Sequence, residues 1–187
     1  MSSADVAKAR DNTKVLDLVY ISIGAALIAI CSWISIPTAV PFTLQTFAVF
    51  FILFSLGGER GTLATLVYVL LGAVGVPVFA GFSGGIGVLL GSTGGYIIGF
   101  LFTGIIYIIF TRFISKKLVV KIIALVLGLA VCYAFGTAWF MNVYIKTSGE
   151  VGLLTVLGWC VFPFIIPDLL KLALAVVIAK RIEPVIK

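Results

Sequence analysis

The sequence predicts an all-α integral membrane protein with six transmembrane helices and both termini in the cytoplasm. Three observations carry this. Hydrophobic residues make up 62% of the chain and charged residues 11%, against about a quarter charged in soluble domains. No charge lies between Arg60 and Arg112, a stretch too long for one crossing of ~20 residues and sufficient for two. Lys and Arg also fall on alternate connections. The whole chain, 1–187, reads as a single transmembrane domain: a cytoplasmic N-terminal segment over 1–14 and a bundle over about 15–180, with no room for a separate soluble domain.

The first span, about 15–34, is too long for a signal-peptide core and reads as a retained helix. Ser35, Pro37, Pro41 and Thr43 mark a loop. The second span, about 44–56, is short unless it begins at Pro41, and ends at the turn Gly57-Gly58-Glu59-Arg60-Gly61. Short helices often border a binding cavity in transporters. The third span covers about 62–80 and is followed by an uncharged, glycine-rich segment, 81–92. The fourth covers about 93–112, with Lys116, Lys117 and Lys121 after it. The fifth covers about 122–141, before a polar connection with Asn142, Lys146, Ser148, Gly149 and Glu150. The sixth covers about 162–180. Pro163 lies near its start, where proline is tolerated.

In this arrangement eleven of the thirteen Lys and Arg residues face the side of the termini: Lys8, Arg10, Lys14, Arg60, Arg112, Lys116, Lys117, Lys121, Lys180, Arg181 and Lys187. So large a bias assigns that side to the cytoplasm and requires an even number of spans. The net charge of +6 is therefore a matter of topology and does not point to nucleic acid. Cys31, Cys132 and Cys160 lie unpaired in apolar runs and read as small packing residues, so no metal is expected. The chain has no histidine, which removes the commonest general base and metal ligand.

Polar residues in the interior of a span are costly and normally face a cavity or a partner. Asp168 and Lys171, three apart on the sixth helix, share one face. They form either a mutual ion pair that locks the helix or the charged wall of a pocket in the outer part of the membrane. Thr43 and Gln45 enter the second span together, and Gln45 offers both a donor and an acceptor. Gly95 and Gly99 suit close approach of another helix backbone. The stretch Gly81-Phe82-Ser83-Gly84-Gly85 has the look of non-helical backbone lining a cavity, and its N–H groups could hold an anionic ligand end. It lacks the lysine of a nucleotide-binding loop. Ala25 and Ala29 form a smooth stripe on the first helix.

Taken in order, Pro41-Phe42-Thr43-Leu44-Gln45-Thr46, Leu71-Gly72-Ala73-Val74-Gly75-Val76-Pro77-Val78-Phe79, Gly81-Phe82-Ser83-Gly84-Gly85, Gly91-Ser92-Thr93-Gly94-Gly95-Tyr96 and Pro167-Asp168-Leu169-Leu170-Lys171 resemble the BioY family. These are the biotin-specific S-components of energy-coupling factor (ECF) transporters. The likeness spans about 35 to 175. Many members carry a proline near position 92, where this chain has Ser92. The resemblance implies a multi-pass protein of a prokaryotic plasma membrane that captures biotin from outside and couples to a transmembrane scaffold subunit and two cytoplasmic ATPase subunits. Those partners would carry the ATP chemistry, so the chain itself would be no enzyme and would need no cofactor. Ala25 and Ala29 would face the scaffold subunit, and the loop about 35–43 would act as a lid.

The residues suit such a ligand. A ureido group has N–H donors and one strong acceptor, matching Asp168 and Lys171. The rings and alkyl chain suit Phe79 and Tyr96. Ser92, the backbone near Gly91, or Asn142 is expected to meet the ligand carboxylate; Thr43 and Gln45 either join the binding site or make an interhelical hydrogen bond. An S-component for another vitamin is the nearest alternative. An intramembrane enzyme lacks a paired carboxylate, since Asp168 stands alone, and lacks any nucleophile–histidine pair. A self-sufficient small-molecule carrier is a third reading, though no inverted repeat of the transporter kind is evident.

Overall fold

In a computed structural model that describes residues 3–38 and 40–186, helices dominate. Helix α1 (Ser3–Trp33) leads into an antiparallel pair, β1 (Ser35–Ile36) and β2 (Phe42–Thr43), in which Ser35 faces Thr43 and Ile36 faces Phe42. Helices α2 (Gln45–Leu56), α3 (Gly58–Ala73), α4 (Ile86–Leu90) and α5 (Gly94–Ile109) follow, and a π-turn at Phe110–Ile114 closes α5. The chain continues through α6 (Leu118–Ser148), α7 (Leu153–Cys160) and α8 (Phe162–Ile186). Met1, Ser2, Ala39 and Lys187 lie outside the described residues.

Among the described residues, four helical stretches are long and apolar enough to cross a membrane: Lys14–Trp33, Gly94–Ile114, Leu118–Ser148 and Leu153–Glu183. The protein is thus an all-helical membrane protein. Helices α2 and α3 have 12 and 16 residues, about 18 and 24 Å against a hydrocarbon core of about 30 Å.

Several boundaries differ from expectation, each for a backbone reason. Helix α2 begins at Gln45 because β2 occupies the residues before it; Leu44 N–H donates to the Ile34 carbonyl and Gln45 N–H to Thr43 Oγ1. The turn expected over 57–61 contracts to Gly57, whose φ of 86° suits glycine. Helix α3 stops at Ala73, not 80, because Gly75 has a φ of 102° and Pro77 has no N–H for a helix. Apolar character alone carried the expected span too far. Helix α6 runs past Asn142 and Lys146 to Ser148 and ends at Gly149, with φ 99°. Polarity there marks departure from an apolar environment, not the end of the helix. Helix α7 was not expected.

Helix α5 packs along α6, α2 along α8, α1 along α3, and α3 along α5. Gly95 and Gly99 form the expected groove. A Cβ on Gly95 would lie 2.3 Å from Trp139 Cβ, and one on Gly99 2.7 Å from Cys132 Sγ.

The first helix carries two corrections. Ala25 and Ala29 are 4% and 6% exposed, in one apolar core with Ile28, Ile52 and Ala64. Their stripe makes contacts within the chain and does not present a free face to a scaffold subunit. A spacing of four defines a face without saying what it meets; α1 leaves Ser22, Ile23, Ala26 and Ile30 exposed instead. Asp17 also belongs to the first span and pairs with Arg60 at 2.6 Å, which reduces the cost of a carboxylate near the membrane.

Candidate binding site

Helical spacing puts Asp168 and Lys171 on one face of α8, where they form an ion pair of 2.8 Å. They are 1% and 8% exposed. Three other elements complete the cluster. From α2, the Thr46 hydroxyl donates to Asp168 Oδ1 at 2.8 Å and accepts from Lys171 Nζ at 3.2 Å. From α6, the Tyr133 hydroxyl donates to Asp168 Oδ2 at 2.6 Å. From β2, the Thr43 carbonyl accepts from Lys171 Nζ at 2.7 Å, and the Phe42 ring centre lies 4.2 Å from that nitrogen.

Burying two charges costs several kcal/mol per ion unless their remaining donors and acceptors are filled. Here the ammonium has three acceptors, Thr43, Thr46 and Asp168, and the carboxylate has three donors, Lys171, Thr46 and Tyr133. A carboxylate has about four acceptor positions, so one on Oδ2 remains for a ligand.

The cluster forms one wall of a cavity of about 150 Å³. Phe79, Tyr96, Phe100 and Phe164 supply aromatic surface, while Val40 and Pro41 come from the hairpin loop. Polar groups are few, as is usual for a small-molecule site. The Gln45 amide donates to the Tyr68 hydroxyl at 2.9 Å, and Tyr96 shares a 3.1 Å hydrogen bond with Thr137. Ser83 and Thr93 also reach the cavity.

The glycine-rich stretch forms a tight loop beside it. Phe79 N–H donates to the Ser83 carbonyl, and Gly85 N–H to the Gly72 carbonyl, so these two donors are occupied. Trp33 holds the loop from α1: its Nε1 donates to the Pro77 carbonyl, and its ring stacks on Phe82 at 5.0 Å.

Of the residues singled out in the sequence, Thr43, Gln45, Phe79, Tyr96, Asp168 and Lys171 meet at this cavity. Gly91, Ser92 and Asn142 do not line it. The Gly91 carbonyl accepts from Trp139 Nε1 at 3.0 Å. Asn142 lines a separate cleft with Trp139 and Lys146. It follows Tyr133 by nine residues, which at about 100° per residue puts it on the opposite face of α6. At the 91–93 turn, Thr93 reaches the cavity in place of Ser92. Sequence reading does not single out Tyr133 or Thr46, and treats Cys132 and Cys160, both cavity-lining, as packing residues. A lone tyrosine in an apolar helix carries no signal of its partner.

The chain is similar to known proteins along most of its length. It is 42% identical over 171 residues to a biotin transporter BioY of Thermotoga maritima, covering 89% of this chain and 95% of that one. It is 38% identical over 173 residues to a probable biotin transporter BioY of Pyrococcus horikoshii, covering 91% and 98%. Among solved structures, the S-component for biotin from an ECF-type ABC transporter superposes with a TM-score of 0.80 at 30% identity, covering 92% of this chain and 93% of that chain. The BioY family model matches residues 4–187, and on this match and these relatives the chain belongs to the BioY family.

Proposed function

We propose that this protein is the biotin-capturing membrane subunit of an ECF-type importer. The observation that carries the reading is the buried Asp168–Lys171 pair, with Thr46 and Tyr133, on the wall of an otherwise apolar cavity. A ureido N–H takes the remaining acceptor position of Asp168. Lys171 exchanges one of its acceptors, Thr43 or Thr46, for the ureido oxygen. The rings and alkyl chain lie against Phe79, Tyr96, Phe100 and Phe164, beside Gln45. The ligand carboxylate lies toward Ser83 and Thr93. Names of BioY relatives and of the biotin S-component support the choice of ligand.

In the same reading, α2 and α3 are two short spans meeting at Gly57, giving six crossings in one transmembrane domain. The Lys and Arg bias puts both termini in the cytoplasm of a multi-pass cell-membrane protein. The chain delivers biotin together with a transmembrane scaffold subunit and two ATPase subunits, which hydrolyse ATP; it catalyses no reaction itself. The test is equilibrium binding to the purified protein in detergent, with thiamine and riboflavin as controls. Saturable binding of biotin alone is expected. Absence of biotin binding by folded protein would remove the proposal.

A further inference from the structure

A second cleft, of about 700 Å³, lies at the Lys- and Arg-rich end of the bundle. Arg60, Arg112, Lys116 and Lys121 line it together with a single carboxylate, Glu59. Arg60 is paired with Asp17, and Lys121 stands 4.8 Å over the Phe54 ring. A cluster of cations beside a membrane is common. Tyr107 sets this one apart. It lines the cleft, is 1% exposed, and its hydroxyl has no hydrogen-bond partner among the described residues. Buried hydroxyls are ordinarily paired, so an orphan one beside cations calls for a polar occupant. The N-terminus of α3 opens at the same place without a side-chain cap, leaving backbone donors free for an anion.

We propose that this cleft binds the phosphate group of an anionic phospholipid. Arg112 and Lys116 hold the phosphate oxygens, and the Tyr107 hydroxyl donates to the headgroup. Ile105 and Ile109, four apart in the last turns of α5, share one face of that helix just before the π-turn that carries Arg112, and each is 45% exposed. They provide an apolar track for an acyl chain leading away from the cations. A free phosphate has no use for that track, which favours the lipid. The proposal does not depend on biotin being the ligand of the other cavity.

The test is native mass spectrometry of the protein in neutral detergent, titrated with phosphatidylglycerol or phosphatidylcholine. One phosphatidylglycerol should be retained about tenfold more strongly than phosphatidylcholine, and Arg112→Gln with Lys116→Gln should abolish that preference. Tyr107→Phe should weaken retention about threefold. Biotin binding and the melting temperature in phosphatidylcholine check that both variants are folded. Equal retention of the two lipids, or unchanged preference in the folded double variant, would overturn the proposal. Displacement of phosphatidylglycerol by millimolar inorganic phosphate would also overturn it, as the sign of a free-anion site.

Discussion

Replacing Asp168 with Asn keeps the shape of the side chain and removes its charge. The carboxylate accepts from Lys171 and Thr46 at 2.8 Å each and from Tyr133 at 2.6 Å. An amide has one acceptor oxygen and one group that only donates. The amide oxygen is best kept toward Lys171 and Thr46, leaving the Tyr133 hydroxyl to turn and accept. Removing one partner of a buried pair costs about 3–5 kcal/mol. Lys171 keeps the Thr43 carbonyl and the Phe42 ring, so a stability loss at the lower end, about 3 kcal/mol, is expected. The acceptor offered to the ligand disappears as well, and biotin affinity should fall by about 2 kcal/mol or more, roughly 30-fold. The informative comparison is Asp168→Asn combined with Lys171→Met, which removes both charges. Stability should return to within about 1 kcal/mol of native, because no unpaired ion is left buried, while biotin binding stays lost. Unfolding in detergent without biotin measures the first quantity and titration calorimetry the second. A stable double variant that binds biotin as tightly as the native protein would refute the reasoning and reduce the pair to a structural lock.

Tyr133→Phe removes the 2.6 Å hydrogen bond to Asp168 and should weaken biotin binding by about 1–2 kcal/mol, with a stability loss of about 1–3 kcal/mol from the donor lost to the buried carboxylate; unaltered affinity would exclude Tyr133 from the site. For topology, Cys31, Cys132 and Cys160 are buried and should be replaced first. Single cysteines at positions 59 and 115 should then resist an impermeant thiol reagent in intact cells, while one at 148 should react. Labelling at 115 would overturn the six-span arrangement. Ala25→Trp with Ala29→Trp inserts two indoles into the core between α1 and its neighbours and should destabilise the protein by about 3 kcal/mol or more, seen as aggregation on size-exclusion chromatography. A folded, biotin-binding variant that fails only to join its partners would restore the docking role of that stripe.

The class of this protein and the location of its unusual charges were legible in the sequence. Transfer from water to hydrocarbon acts residue by residue, so runs such as 15–34 and 162–180 declare themselves without knowledge of neighbours. Asp168 and Lys171 stand out for the same reason, and their spacing of three puts them on one helix face. Other features depend on what lies across the bundle. Neither Thr46 nor Tyr133 is unusual in its own helix; they become significant because α2 and α6 bring them to Asp168. Asn142 had the right chemistry and the wrong face, and Ala25 and Ala29 had the right spacing with a core, not a free surface, against them. Helix ends were lost where backbone angles decided them, at Gly75 and Gly149, because hydropathy does not register φ. Local free energies of transfer and helical periodicity set the membrane class and the charged face from sequence alone. The partners of that face and the walls of the cavity were decided by packing between segments far apart in the chain.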